Sequence, residues 1–185
     1  MNFSFRILSD TVSYVGTELR SGWVREKTGL GGDAAAAFIG PCEVPTENLV
    51  DLDDAREGEY IRSAMMAHVI VEHPACTLEL AVLRQRILVA LLGELLAERG
   101  KRARRDGDDL YYDGRKLTVS IAAPSSTASL IHLGINVNPA GAPVPAVGLA
   151  EMGVEPRALL DDLLTRYGNE LATAAHAATK VKTVS

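Results

Sequence analysis

Apolar and polar positions follow several different periods along this chain, and each period predicts an element. Between Asp10 and Lys27, Leu19, Trp23 and Val24 fall at helical spacing, which predicts a helix from about Gly16. The Gly29-Leu30-Gly31-Gly32 stretch ends it, because glycine reaches the positive φ that a helix stop often needs. Ala34 to Ile39 is short and continuously apolar, as a buried strand is, and Gly40-Pro41 breaks it. Cys42 to Tyr60 then reads as a long acidic loop, of a length that in a compact domain belongs to functional or mobile segments.

Met65 to Glu72 reads as a strand, with Val69 and Val71 on one face and His68, Ile70 and Glu72 on the other. Pro74 ends it. Thr77 is a plausible N-cap for a helix that runs to Gly100, with Leu80, Leu83, Ile87, Leu88, Leu91 and Leu95 as its apolar stripe. Turns at Asp106-Gly107-Asp108-Asp109 and Asp113-Gly114 flank a short strand, Leu110 to Tyr112, and predict a β-meander. Two longer strands follow, Lys116 to Ala123 and Ser129 to Asn138, joined by a Pro-Ser-Ser-Thr turn. On the first, Leu117, Val119 and Ile121 would be buried while Lys116, Thr118 and Ser120 face outward. On the second, His132, Gly134, Asn136 and Asn138 form the polar face, so the two strands as neighbours would offer one polar surface. Pro156 to Ala172 is a helix with Leu159, Leu160, Leu163 and Leu164 inward. The pattern is α+β: a mixed, mainly antiparallel sheet flanked by helices, in one domain over 1–185.

Composition narrows the function. The chain has 185 residues, a net charge of −5 and 47% hydrophobic content, enough for one substantial core and too apolar for a disordered chain. Its acidity argues against nucleic acid and against an anionic membrane surface as partners. Arg99, Lys101, Arg102, Arg104 and Arg105 are basic, but Asp106, Asp108 and Asp109 follow at once, and the cluster suits a helix C-terminus. Met1 to Val12 includes Arg6 and Asp10 and is not a signal peptide, and no run reaches the ~20 apolar residues of a membrane span. Two cysteines, Cys42 and Cys76, give no disulfide framework, so a cytoplasmic location is expected. His68, Glu72 and His73 lack the further ligand a metal site would need.

The informative segment is Asp-Asp-Leu-Tyr-Tyr-Asp-Gly-Arg-Lys-Leu (108–117) followed by Gly-Ile-Asn-Val-Asn (134–138). It resembles the catalytic domain of biotin–protein ligases and the related lipoate–protein ligases. In that family a basic residue and an Asn-Asp-Leu turn precede a strand, a Gly-Arg/Lys-Lys turn and the ligase lysine. The order of surrounding elements is also similar over about residues 12 to 172, including Ala146-Val147-Gly148-Leu149 before the last helix, but only 105–138 is specific. The chain further resembles a family of similar length, number 366 among the domains of unknown function.

By this resemblance Lys116 is the lysine that bridges an acid substrate's carboxylate and the α-phosphate of ATP, with Mg²⁺ as companion ion. A fixed cation lowers the repulsion between two meeting anions. Arg105, Asp108, Asp109 and Arg115 would face substrate or nucleotide, with Asp108 standing where the family has asparagine. Asn136 occupies an asparagine position of the family's motif, and Ser120, His132 and Gly134 share the expected ligand face. Thr17 heads the first helix where the family has Ser-Thr-Asn. The chain departs from the family where a Gly-Arg-Gly-Arg loop should grip the adenylate: Glu43, Asp51, Asp53 and Asp54 occupy that region, and only Arg56 or Arg62 could substitute.

The expected function is thus ATP-dependent activation of a small carboxylic acid. A non-catalytic module binding a small molecule or nucleotide is the alternative, and a homodimer is compatible with either. The octanoyl-transferase branch of the superfamily adds a third reading, a cysteine acyl transferase, although neither Cys42 nor Cys76 falls near Ala142 to Val147, where that branch has its nucleophile.

Overall fold

The computed structural model describes residues 2–184. Its frame is a five-stranded sheet built from β1 (Ser4–Ile7), β2 (Ala34–Val44), β3 (Ile61–Pro74), β7 (Thr118–Pro124) and β8 (Ala128–Asn138), in the order β1-β2-β3-β8-β7. Only the β1–β2 pair is parallel; the others are antiparallel. A small second sheet holds β4 (Arg104–Asp106), β5 (Asp109–Tyr112) and β6 (Arg115–Lys116). The helices are α1 (Trp23–Thr28), α2 (Leu52–Glu57), α3 (Leu78–Glu98), α4 (Leu149–Met152) and α5 (Pro156–Thr179). The α+β architecture expected from the pattern is the one observed.

Both faces of the large sheet are covered, which explains why β2 begins as an alanine run. Ala35 and Ala37 join Val69, Val71, Ile131 and Leu133 against the inner sides of α3 and α5. Ala34, Ala36 and Phe38 face the opposite way, with Ile70, Met66 and Trp23. There α1 is seated by Glu72 of β3, whose carboxylate accepts from Gly22 N at 2.6 Å and Val24 N at 3.1 Å. Those are helix N-terminal donors with no partner inside the helix.

Several expectations are corrected. The helix starts at Trp23 rather than Gly16, because Gly22 stands before it at φ 79 and the preceding residues form turns. Gly40-Pro41 does not break β2: the register shifts between Gly40 and Cys42, so a bulge absorbs the proline and pairing resumes through Val44. The supposed loop Cys42 to Tyr60 contains the end of β2, a 3-10 turn over Thr46–Asn48 and α2. Asp51 caps α2 by accepting from the backbone of Asp53 and Asp54. On α3 the N-cap is Thr77 as expected, but Leu80, Leu83 and Ile87 are 42%, 55% and 36% exposed while Arg84 and Gln85 are buried.

The strand expected over Lys116 to Ala123 is two strands. Leu117 separates β6 from β7 and is itself buried, so the alternation slips by one residue. Thr118 therefore points inward and accepts from Leu110 N at 2.8 Å, and Ser120 meets Gln85 of α3. Val119 pairs with Gly134 and Ile121 with His132, so the β8 polar face borders an apolar β7 face, the reverse of the expected assignment.

Candidate functional site

A cleft of about 290 Å³ opens where β3, β7 and β8 meet the small sheet. One wall comes from Asp108, Asp109 and Lys116 of the β5–β6 hairpin region and from β7, the other from Tyr14 and the chain between Asn48 and Arg62. The turn is a two-residue hairpin with Asp113 at φ 49 and Gly114 at φ 74, a geometry that Asp-Gly supplies without cost at the glycine. It delivers Lys116 to the end of β6. Backbone bonds then fix that residue: Lys116 N donates to Pro145 O at 2.9 Å, and Val147 N donates to Lys116 O at 3.0 Å. The side chain of Asn136 also reaches the Lys116 carbonyl, at 3.4 Å.

Lys116 Nζ lies 2.8 Å from Asp109 Oδ2, with both side chains mostly covered. Burial opposes the ammonium charge, but the Asp109 hydrogen bond and field, helped by Tyr111 and Asp54, more than offset it and raise the pKa. Asp109 is itself held above the usual carboxylate range by burial, against the pull of Lys116. Asp54 is raised as well, by burial and then by Asp51 and Glu59. Asp108 is tied down at its carboxylate by Gln85 Nε2 at 2.9 Å and by Arg86 at 3.5 Å.

Of the residues singled out in the sequence, Lys116, Asp108, Asp109, Ser120, His132 and Asn136 line this cleft. Gly134 lies under it for a different reason from the one expected: a Cβ there would overlap Met66 Sδ, so the glycine accommodates a side chain rather than a ligand. Thr17 bonds to Glu18 beside the mouth, and Glu43 is exposed on β2; neither is a lining residue. Arg105 is turned onto the Gly107 carbonyl at 2.6 Å, and Arg115 is held by both Glu151 oxygens, at 3.0 and 2.5 Å. Arg105, Arg115 and Lys116 thus do not share one cationic centre.

The free cation of the cleft is Arg62 on β3, which makes no hydrogen bond or ion pair among the described residues and packs its stem on Gly141. Arg56 instead pairs with Asp53 at 2.9 Å. Tyr14 and Met66 carried no sequence signal, since contacts far apart in the chain bring them in. Tyr14 reaches the cleft through a single bridge to Cys42 and stacks on His132 with ring centroids 3.9 Å apart. Cys42 is buried, is not a lining residue, and has its thiol pushed up to about 12 by burial and Glu18, which leaves it unreactive. Among the described residues no group of three or more His, Cys, Asp and Glu is arranged to hold a metal, and no helix is long and apolar enough to cross a membrane.

Comparison with known proteins places this geometry. A protein of unknown function from Pyrococcus horikoshi is 35% identical, with a TM-score of 0.92 over 99% of this chain and 100% of that one. The biotin protein ligase of Aquifex aeolicus superposes with a TM-score of 0.60 at 17% identity, covering 94% of this chain and 71% of the ligase. The putative lipoate protein ligase Ta0514 of T. acidophilum, solved with bound lipoic acid, gives 0.58 at 14% identity over 93% of this chain and 86% of its own. The two ligases share the fold. By sequence, residues 3–182 match the domain of unknown function DUF366, and the chain belongs to that family.

Proposed function

We propose that this protein activates a small carboxylic acid with ATP, through an acyl-adenylate, at the cleft around Lys116. The observation that carries this reading is the placement of Lys116: a mostly covered ammonium, fixed through its own backbone to the 145–147 segment, facing an open cleft. In the reaction a carboxylate oxygen attacks the α-phosphorus, a new O–P bond forms, and pyrophosphate leaves with the electron pair of the broken bond. Lys116 would leave Asp109 to sit between the two anions, where a compact cation lowers their repulsion as they close. Arg62 supplies a second positive charge from the other wall, in place of an arginine-rich loop. Asp108 and Asp109, which line the cleft, would offer carboxylates to a Mg²⁺ brought in with the nucleotide, and that ion would screen the phosphate charge.

ATP–pyrophosphate exchange driven by a panel of small acids tests the reading. Exchange should appear with at least one acid, and Lys116→Ala should lower it by roughly a hundredfold or more. No exchange with any acid of a broad panel would remove it. A second reading, a binding module without chemistry, draws on the lining itself, where Asp51, Asp54, Glu59, Asp108 and Asp109 outnumber Arg62 and Lys116. Thermal stabilisation by nucleotide without exchange would favour it.

A further inference from the structure

The cleft floor holds a histidine pair that adenylation does not use. His68 Nε2 lies 3.3 Å from the Gly40 carbonyl oxygen, and His68 Nδ1 lies 3.1 Å from His132 Nε2. A carbonyl oxygen only accepts, so His68 carries its proton on Nε2 and offers a lone pair at Nδ1. His132 must then donate from Nε2, which leaves His132 Nδ1 as a bare acceptor. Burial disfavours charge on both rings, so neither takes up the extra proton that would undo this order. Tyr14 stacks on His132, and Phe38 stacks on His68 at 4.8 Å, so neither ring turns over without repacking.

His132 Nδ1 has no partner among the described residues. Yet no enclosed side-chain nitrogen or oxygen there is left unbonded, so this atom opens into the cleft that His132 lines. The side chain is otherwise buried, with His132 only 3% exposed. A buried, fixed acceptor welcomes an N–H or O–H and rejects a carbonyl or anion, which would face it lone pair to lone pair. Asn136 lies four residues along the same face of β8, about 13 Å away by strand rise, and its side chain meets the Lys116 carbonyl. The acceptor and the Lys116 backbone are therefore set apart along β8, while both residues line one cleft.

We propose that His132 determines specificity: its Nδ1 receives an N–H or O–H donor of the substrate, and His68 is the positioning residue that fixes its tautomer. The substrate class is a small carboxylic acid bearing a hydroxyl, amide or ring N–H. The carboxylic acid rests on the acid-activation reading; the acceptor does not.

Long-range ¹H–¹⁵N correlation of the histidine rings reads the tautomers directly. His132 Nδ1 and His68 Nδ1 should both resonate as unprotonated, pyridine-like nitrogens, and a proton on His132 Nδ1 would overturn the proposal. The binding probes are the monoamides of succinic, adipic and suberic acid, each set against its monomethyl ester. The best-fitting monoamide should bind about tenfold tighter than its ester and perturb His132 Nδ1. In His68→Leu, where His132 can carry its proton on either nitrogen, that ratio should fall toward one. Equal binding of amide and ester in the wild type, or binding of neither, overturns the ligand assignment. Amide preference without any ATP–pyrophosphate exchange would sink the activation reading and leave this one standing; exchange without amide preference would do the opposite.

Discussion

His68, His73 and His132 are all buried, and burial lowers the pKa of each, that of His68 to about 3. For His73 the Asp33 carboxylate at 2.6 Å works the other way without reversing the sign. A histidine whose folded pKa lies below its unfolded value binds more protons when unfolded. Its contribution is fully present above pH ~6.5 and is lost as pH falls through the window down to the folded pKa. Each such group therefore removes about 1.4 kcal/mol per pH unit inside that window. The raised carboxyls, Asp54 and Asp109, act with opposite sign. Urea unfolding between pH 7 and pH 5 should consequently show stability falling steeply toward acid, and a flat profile there would contradict neutral burial of the three rings. Lys116 offers a second test at this scale, because Asp109 is the main group opposing the effect of burial on its charge. Asp109→Asn should lower the Lys116 pKa, followed by NMR titration of its side chain; an unchanged titration would show that Asp109 is not its counter-ion.

The element most consequential for the site is the two-part strand around Leu117. Thr118 lies inside the structure rather than on the outer face, with its hydroxyl on Leu110 N, and the two strands of different sheets are coupled through that bond. Thr118→Val keeps the shape and improves β-propensity, but it strands a buried N–H. Chemical denaturation should show a loss of about 1–3 kcal/mol, whereas a gain would place Thr118 outside. This inversion was not legible in the sequence, since a one-residue slip leaves the alternating pattern over Lys116 to Ala123 intact while exchanging its faces. What was legible is local. Asp-Gly at 113–114 fixed the hairpin, and the hairpin with β8 brings Lys116, Asp109, His132 and Asn136 to one place. The facing wall of Tyr14, Asn48 and Arg62 depends on pairings across the sheet, which no local period encodes. β1 was missed because its four residues are too few to show a period.

At the scale of the whole molecule, two layers compete for the apolar residues of α3. The helix carries leucines on more than one side, so periodicity alone allows two stripes, and the sheet with α5 selects the one containing Leu88, Leu92, Leu95 and Leu96. The selection is decided by polar groups further up the same side. Arg84 reaches Asp33 at 3.4 Å, and Gln85 meets Asp108 at 2.9 Å and Ser120 at 2.7 Å, so both are buried with partners and pin the inner face. Leu80, Leu83 and Ile87 are left on the outside, where a charge meets little that it could disrupt. The two stripes should therefore answer mutation very differently, although both are made of large aliphatic residues. Leu83→Glu should change unfolding free energy by no more than about 0.5 kcal/mol, while Leu88→Ala, which empties a fully enclosed site, should cost about 2–5 kcal/mol. Urea denaturation of the two variants in parallel decides the matter. A loss for Leu83→Glu comparable to that for Leu88→Ala would mean that the outer stripe is covered in solution and that α3 has a second packing partner.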